Sequence, residues 1–201
     1  MKDYFYDLVG SRRSIRRFKP EPVPEEVLIR ILDAGRRAPS AHNRQPWRFV
    51  VLRSSGELDR LARSMGEVLK HDLESDGVET TEIEKDVARS YRRITGAAVG
   101  VVMCLDENSL DEYPDPERRQ AERTMGIQSL AMAGANILLA AHAEGLGACW
   151  ICAPLFVPDL VRIELELAGT WIPQGMILLG YPADEGRERV RKPLQEVTVW
   201  R

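Results

Sequence analysis

Four arginines crowd around one serine near the start of the chain: Arg12, Arg13, Arg16 and Arg17, with Ser14 between them. Guanidinium groups bind phosphate oxygens through paired hydrogen bonds, and a serine hydroxyl adds a further one. The whole chain carries a net charge of −3, so the cluster is a local concentration of positive charge and not part of a basic surface. The cluster therefore favours a single phosphorylated ligand over a long polyanion, and a solvated helix face is the alternative.

A polar segment follows at residues 38–47, Ala-Pro-Ser-Ala-His-Asn-Arg-Gln-Pro-Trp. Amide side chains both donate and accept hydrogen bonds, so they suit the edge of a heteroaromatic ring better than a phosphate. We interpret this segment as a ring-binding loop, with a rigid connecting loop as the alternative.

Residues 145–154, Gly-Leu-Gly-Ala-Cys-Trp-Ile-Cys-Ala-Pro, form a third candidate, because small residues at a strand end let the backbone approach a flat ligand. The spacing of Cys149 and Cys152 also suits thiol or metal chemistry. A structural zinc site needs four ligands, however, and a thioredoxin-like pair precedes a helix in a βαβ unit, whereas this pair lies in an apolar strand after a helix. We expect no metal site.

A fourth candidate lies near the end of the chain, where residues 187–192 carry four more cations. A solvated loop is the alternative there. The chain contains no Walker or G-x-G-x-x-G phosphate loop and no nucleophile elbow, and its three histidines are scattered. No side chain is assigned as catalytic. If the protein is an enzyme, a bound cofactor supplies the chemistry.

The composition is that of one soluble globular domain, with 201 residues, 44% hydrophobic and 29% charged. The first four residues lack a signal segment, and three cysteines are too few for a disulfide framework, so we expect a cytoplasmic protein. We expect no membrane partner, because polar residues interrupt the longest apolar run, Leu130 to Trp150, which predicts a buried helix. Nucleic-acid binding is disfavoured, because the cationic stretches are short and aromatic residues make up only 6%.

The pattern of apolar residues predicts an α+β fold. Helices are predicted over 3–10, 24–37, 56–70, 117–144 and 158–167, and strands over 47–52, 98–105, 148–151, 175–181 and the tail from 192 to 201. Residues 72–93 are charged and predict a mobile helical lid. The long helix is apolar nearly all round, and the tail strand lacks a later partner, so both features favour contact with a second subunit.

Taken in order, five stretches resemble the FMN-dependent nitroreductase family: residues 12–18, 38–47, 145–151, 180–182 and 191–194. The resemblance implies one domain over residues 1–201, built on a central, mostly antiparallel sheet flanked by helices. It also implies an intertwined homodimer that exchanges C-terminal strands and holds two flavin sites at its interface.

The resemblance also implies roles for particular residues. The FMN phosphate and ribityl chain would be bound by Arg12, Arg13, Ser14 and Arg16, joined at the phosphate by Arg191. The isoalloxazine ring would lie against Pro39, Ser40 and Asn43 contributed by the partner subunit. Ile151, Cys152 and Ala153 would line the ring mainly through their backbone.

Within the family, residues 70–77, 113–115 and 120–125 resemble the flavin domain at the C-terminus of the actinobacterial γ-glutamyl ligase for the deazaflavin coenzyme. This closer likeness implies reduction of a dehydro precursor of that coenzyme. It also implies that Asp72 contacts the deazaflavin.

The function implied is a two-electron, ping-pong reduction of a small aromatic or conjugated acceptor. Bound FMN would accept a hydride from NAD(P)H or from the reduced deazaflavin, and the acceptor would then stack on the same face of the ring. Two alternatives remain open: a broad NAD(P)H-dependent nitro or quinone reductase, and a protein that stores FMN without turnover.

Overall fold

The computed structural model describes residues 2–201, and for Lys2 it describes the backbone alone. Met1 belongs to the N-terminal segment on which the expectation about secretion rests, and it lies outside the described residues. A four-stranded antiparallel sheet in the order β1-β2-β4-β3 is flanked by helices, which confirms the predicted α+β class. In chain order the elements are α1 Lys2–Ser11, α2 Glu25–Arg36, β1 Trp47–Leu52, α3 Ser55–Ser75, α4 Thr80–Thr95, β2 Val99–Asp106, α5 Pro116–Ala143, β3 Gly147–Ile151, α6 Ala153–Phe156, α7 Pro158–Glu164, β4 Trp171–Gly180 and α8 Leu194–Val197.

Strand β2 lies in the middle of the sheet and is buried along its whole length. Its side chains alternate between two apolar clusters, as the period of a strand requires. Val101 and Met103 pack on the face covered by α2 and α5, whereas Val102 and Cys104 pack on the face covered by α3, α4 and α7. The sheet is therefore covered by helices on both faces, which explains why β2 is a continuous apolar run.

The long helix α5 is less completely covered than its sequence predicts. One face packs against α2 and the sheet through residues such as Leu130 and Ile137, whereas Ala131, Met132 and Ala135 are exposed in the single chain. α5 is long and apolar enough to cross a membrane, but its position on the sheet is that of a core helix. Cover by a second subunit stays a prediction.

The prediction of a C-terminal strand is wrong for the single chain. The tail contains the short helix α8, followed by extended backbone at Thr198 that pairs with no strand among the described residues. A strand needs a partner, and the outer edge of β3 is already occupied by an N-terminal segment that bridges Ser14 to Ala148. Val199 and Trp200 are consequently 81% and 85% exposed, and strand exchange with a second chain stays a prediction.

The segment predicted as a lid, residues 72–93, is the end of α3, a turn and most of α4. The second helix packs along α3, with Ile83 and Ile94 buried, and the Tyr91 hydroxyl donates a hydrogen bond to Asp59 on α3. These contacts anchor α4 beside the sheet. The mobility expected of the segment stays a prediction.

The indole of Trp150, on β3, occupies a slot between two glycines. A Cβ atom at Gly134 on α5 would lie 2.4 Å from the indole, and one at Gly175 on β4 would lie 2.5 Å from it. Both distances are far inside van der Waals contact, so the slot exists only because these positions carry no side chain. The slot fixes the end of β3, where the chain turns into residues 151–153.

Replacing Gly175→Ala is expected to lower the free energy of unfolding by about 1–3 kcal/mol, because the rigid indole must move to admit a methyl group. The matched control is Gly169→Ala, since a Cβ at Gly169 meets no atom within 4 Å. Urea unfolding followed by circular dichroism measures the difference. Equal unfolding midpoints for the two variants would contradict the claim that the indole of Trp150 leaves no room for a side chain at position 175.

Candidate functional site

The N-terminal arginine cluster is positioned by the outer edge of β3. Ser14 forms a parallel bridge with Ala148, and the backbone N–H of Ile15 donates to the Ala148 carbonyl at 3.0 Å. Because side chains alternate along extended backbone, Ile15 is buried, while Ser14 and Arg16 line a cavity on the other side. A Cβ at Gly147 would lie 2.7 Å from Ile15, so glycine is required for this close approach.

The segment after β4 returns to the same place. The backbone N–H of Ala183 donates to the Arg17 carbonyl at 3.0 Å, and the Asp184 carboxylate accepts hydrogen bonds from Arg17 Nε at 2.6 Å and from the Gly186 backbone at 2.9 Å. The hydrogen bond from Arg17 holds the pKa of Asp184 below its usual value. Gly186 has φ of +72°, a turn that suits glycine, and it directs the second cationic segment, residues 187–192, toward the first.

The two ends of the chain thus enclose a cavity of about 380 Å³, called here the phosphate cavity. All five residues that the family resemblance assigns to the FMN phosphate and ribityl chain line it: Arg12, Arg13, Ser14, Arg16 and Arg191. Arg187 and Arg189 also line it. Residues more than 170 positions apart in sequence therefore line the same cavity. Their guanidinium and hydroxyl groups are suited to binding a phosphate group.

The phosphate cavity holds more positive than negative charge. Burial, then the neighbouring charges of Arg191 and Arg13, lower the pKa of Arg12. Glu188 lies 3.5 Å from Arg13 but is itself largely exposed, and within residues 3–201 no carboxylate lies within 4.0 Å of Arg12, Arg16 or Arg191. An anion in this cavity would relieve the repulsion.

His142, on α5, lies beside this cluster and makes a hydrogen bond to Ser11 Oγ at 2.9 Å. Burial, followed by the charges of Arg12 and Arg13, lowers the pKa of the imidazole. The hydrogen bond to Ser11 gives this residue a structural role, since it ties α5 to the end of α1.

A larger cavity of about 990 Å³, the arginine cavity, adjoins the first and shares Ser14, Arg16, Arg187 and Arg189 with it. Its other wall is formed by α4, through Arg89, Arg92 and Arg93. Sequence reasoning missed these three residues because it treated their segment as a lid. Arg92 and Arg93 follow Arg89 by three and four residues, a spacing that places side chains on one face of a helix. This spacing was the pattern in the sequence that could have identified them.

The residues assigned to the ring lie where β3 ends. Ile151 is the last residue of β3, Cys152 caps α6 and Ala153 begins it. Burial raises the pKa of nearby Cys149, and the positive charges of Arg16 and Arg93 partly offset that effect. Neither the phosphate cavity nor the arginine cavity has Ile151, Cys152 or Ala153 among its lining residues in the described part of the chain.

The segment that carries Pro39, Ser40 and Asn43 lies elsewhere, before β1. Strands β1 and β3 are the two outer strands, about 14 Å apart across three strand spacings. Within the described part of the chain, none of the three residues lines the phosphate cavity or the arginine cavity. One chain alone therefore does not bring all the predicted flavin residues together.

This loop is held in a strained conformation. His42, Asn43 and Gln45 have φ of 49°, 53° and 50°, a left-handed region that is costly for residues other than glycine. Ser40 Oγ accepts a hydrogen bond from the Gln45 backbone at 3.0 Å, and Asp111 forms ion pairs with Arg44 and His42. Such strain persists because these contacts fix the loop.

Asp72 is exposed near the C-terminal end of α3, and neither the phosphate cavity nor the arginine cavity includes it. Its backbone carbonyl accepts a hydrogen bond from Asp76 at 2.9 Å, which helps to end the helix. The role predicted for Asp72 with a deazaflavin stays a prediction.

The two cysteines of the C-x-x-C pattern have different surroundings. Cys149 is buried in the sheet, whereas Cys152 is exposed. Burial also raises the pKa of Cys104 to about 12. Across the residues that the structure describes, no group of three or more His, Cys, Asp or Glu side chains is arranged to hold a metal ion.

Residues 9–181 match the sequence model of the nitroreductase family. The chain belongs to the nitroreductase family. It is 32% identical to an NADH dehydrogenase from Thermus thermophilus over 95% of this chain and 93% of that protein.

Solved structures agree with this membership. A Desulfovibrio desulfuricans protein described as a nitroreductase, solved in complex with FMN, is 27% identical, has a TM-score of 0.75, and is matched over 98% of this chain and 95% of its own. A BluB-like flavoprotein from Clostridium difficile is 24% identical with a TM-score of 0.79 and covers 98% of both chains, which shows that it shares the nitroreductase fold.

The surroundings of the cysteines predict that iodoacetamide modifies Cys152 in the folded protein at pH 8, while Cys104 and Cys149 react slowly. Burial shields the latter two thiols, and their raised pKa values leave little thiolate at that pH. Mass spectrometry of digested protein measures each rate, with urea-unfolded protein as the control in which all three react. Fast modification of Cys149 in the folded state would contradict the burial of this thiol.

Proposed function

We propose that this nitroreductase-family protein is an FMN-dependent oxidoreductase that uses NAD(P)H to reduce a small aromatic or conjugated acceptor. The observation that carries the proposal is the phosphate cavity, where Arg12, Ser14 and Arg191 face one volume. The FMN complex of the Desulfovibrio relative supports the same cofactor.

The residues of the phosphate cavity fit the phosphate of FMN. A phosphate dianion would offset the charges that lower the pKa of Arg12, and the guanidinium groups would donate paired hydrogen bonds to its oxygens. We assign Arg12, Arg13, Ser14, Arg16 and Arg191 to the phosphate and ribityl chain. The backbone of Ile151, Cys152 and Ala153 would lie along the ring.

Bound FMN supplies the two-electron chemistry, and the chain supplies position and charge. Arg16 lines both cavities and Arg93 lines the arginine cavity. Burial raises the pKa of Cys149 on β3, and the charges of both arginines act to lower it. We assign Arg93 to the edge of the ring, because fixed positive charge stabilises negative charge that develops during reduction. The open arginine cavity beside them leaves room for the donor and the acceptor to approach.

In this proposal the complete flavin site is formed by two copies of the chain. Pro39, Ser40 and Asn43 would serve the flavin of the partner, since they lie at the opposite edge of the sheet from β3. Exposed apolar side chains offer the surface for such a dimer: on α1 Tyr4, Phe5, Tyr6 and Val9; on α5 Met132; and on the tail Leu194, Val197, Val199 and Trp200.

The dimer predicts a solution mass of twice the 22.7 kDa chain in light scattering after size exclusion. A chain that ends at Arg191, without the tail, is expected to have a lower mass at the same micromolar concentration, because the exposed apolar residues of the tail are gone. Trp200→Ala tests whether one aromatic side chain suffices for this effect. A full-length chain that elutes as a monomer would contradict the shared site.

The double variant Arg12→Ala/Arg16→Ala is expected to lose bound FMN, with affinity lower by about 100-fold or more, because two charge-assisted contacts are removed. The visible absorption of the purified protein measures flavin content. Arg36→Ala/Arg60→Ala is the control, since these arginines pair with Asp33 and Glu164 on the surface. Full yellow colour in the first variant would overturn the phosphate assignment.

Activity is tested by anaerobic addition of NADPH to the flavin-loaded protein, followed by an organic acceptor such as a quinone. Bleaching of the flavin bands and their return with the acceptor are the expected results. Bands that persist with NADPH would instead favour storage of FMN or a specialised reductant.

The acceptor and the location in the cell complete the proposal. We retain the dehydro precursor of the deazaflavin coenzyme as a specific acceptor to be tested, with reduced deazaflavin as its donor, and a broad range of nitro and quinone compounds as the alternative. Turnover of the precursor at rates above those with simple quinones would favour the specific role. The cytoplasm supplies NAD(P)H and suits the three free cysteines.

A further inference from the structure

The arginine cavity contains more positive charge than one flavin phosphate requires. Seven arginines line it, and Asp184 is the one acidic residue among the lining residues that the structure describes. Asp184 is paired with Arg17, and Arg89 is paired with Asp86 at 2.7 Å. Among residues 3–201, no carboxylate lies within 4.0 Å of the remaining five, which are Arg16, Arg92, Arg93, Arg187 and Arg189.

The arginines of α4 are separated from the phosphate cavity. That cavity is lined by residues from both chain ends and by none from α4. Arg93 is half-buried and its charge acts on Cys149 of β3, whereas Arg89 and Arg92 are exposed. Arg89 lies one helical turn before Arg93, about 6 Å further along the helix axis. A ligand that contacts Arg89 therefore reaches one helical turn beyond Arg93 along α4.

The chemistry of these side chains selects a phosphate ester. Guanidinium groups bind phosphate oxygens in pairs, and the ion pair with Asp86 orients Arg89 while leaving donors free. NADPH differs from NADH by one phosphomonoester on the adenosine ribose, and arginine is the side chain that accommodates this group in NADP-dependent proteins. In the proposed function the donor reaches the flavin through the arginine cavity, because this open space adjoins the phosphate cavity at Ser14 and Arg16.

We infer that Arg89 and Arg92 form a subsite for the 2′-phosphate of NADPH, and that the protein uses NADPH in preference to NADH. The inference rests on the proposed function, because it takes the arginine cavity as the path of the electron donor. According to this inference, α4 determines which electron donor the protein prefers, in addition to packing against α3.

Steady-state kinetics of the flavin-loaded protein test the preference. The wild type is expected to show a higher kcat/KM with NADPH than with NADH. In Arg89→Gln/Arg92→Gln the ratio of the two values should fall by about 10- to 100-fold, because charged hydrogen bonds to the phosphate are lost. Lys85→Gln is the control, since this exposed residue is on the same helix but does not line the arginine cavity.

Calorimetric titration gives a readout that does not depend on turnover. Adenosine 2′,5′-bisphosphate is expected to bind the flavin-loaded wild type, and the double variant should weaken that binding by a factor similar to the fall in the kinetic ratio. Adenosine 5′-monophosphate, which lacks the 2′-phosphate, should show no such difference between wild type and variant.

Three results would overturn the subsite: a wild type that prefers NADH, an equal loss with both donors in the double variant, or loss of FMN from that variant. The last would mean that the α4 arginines serve the flavin. Failure of the proposed function differs from all three, because the wild type would then hold no flavin or reduce nothing with either donor.

Discussion

Repulsion between arginines that the fold forces together is the constraint on which the site depends. Arg12, Arg16 and Arg191 converge from the two ends of the chain without a carboxylate within 4.0 Å among residues 3–201. The pKa of Arg12 is lowered by burial first and then by the charges of Arg191 and Arg13. An anion that binds only the folded protein offsets such a cost; at a ligand concentration of 100 times Kd the gain is about 2.7 kcal/mol. In the proposed function, bound FMN therefore helps to stabilise the chain ends.

The rest of the fold serves to hold those ends in place. The buried strands β2 and β4 fix the sheet, and β3 offers the edge along which Ser14 pairs with Ala148. Glycine matters at a few points where elements approach closely, as at Gly147 beside Ile15 and at Gly175 beside Trp150. These contacts connect the packing of the core to the position of the phosphate cavity and of the end of β3.

The sequence predicts most elements because their patterns are local. β2 is recognisable as a continuous apolar run and α2 by its helical period, and both lie close to where the pattern indicates. The meeting of Arg12 with Arg191 could be predicted only from the family resemblance, since no local pattern relates residues so far apart. Arg89, Arg92 and Arg93 were missed because their importance depends on where α4 packs. The tail forms no strand in the single chain, where the outer edge of β3 is occupied by the Ser14 segment, and its pairing with a second chain stays a prediction.

The most direct test of the central claim compares the binding of FMN and riboflavin, which lacks the phosphate, to the flavin-free protein at low and high salt. If the arginines at the chain ends hold the phosphate, FMN binds about 100-fold or more tightly than riboflavin at low salt, and the difference narrows as salt screens the charges. Equal affinities for the two flavins at both salt concentrations would contradict the account.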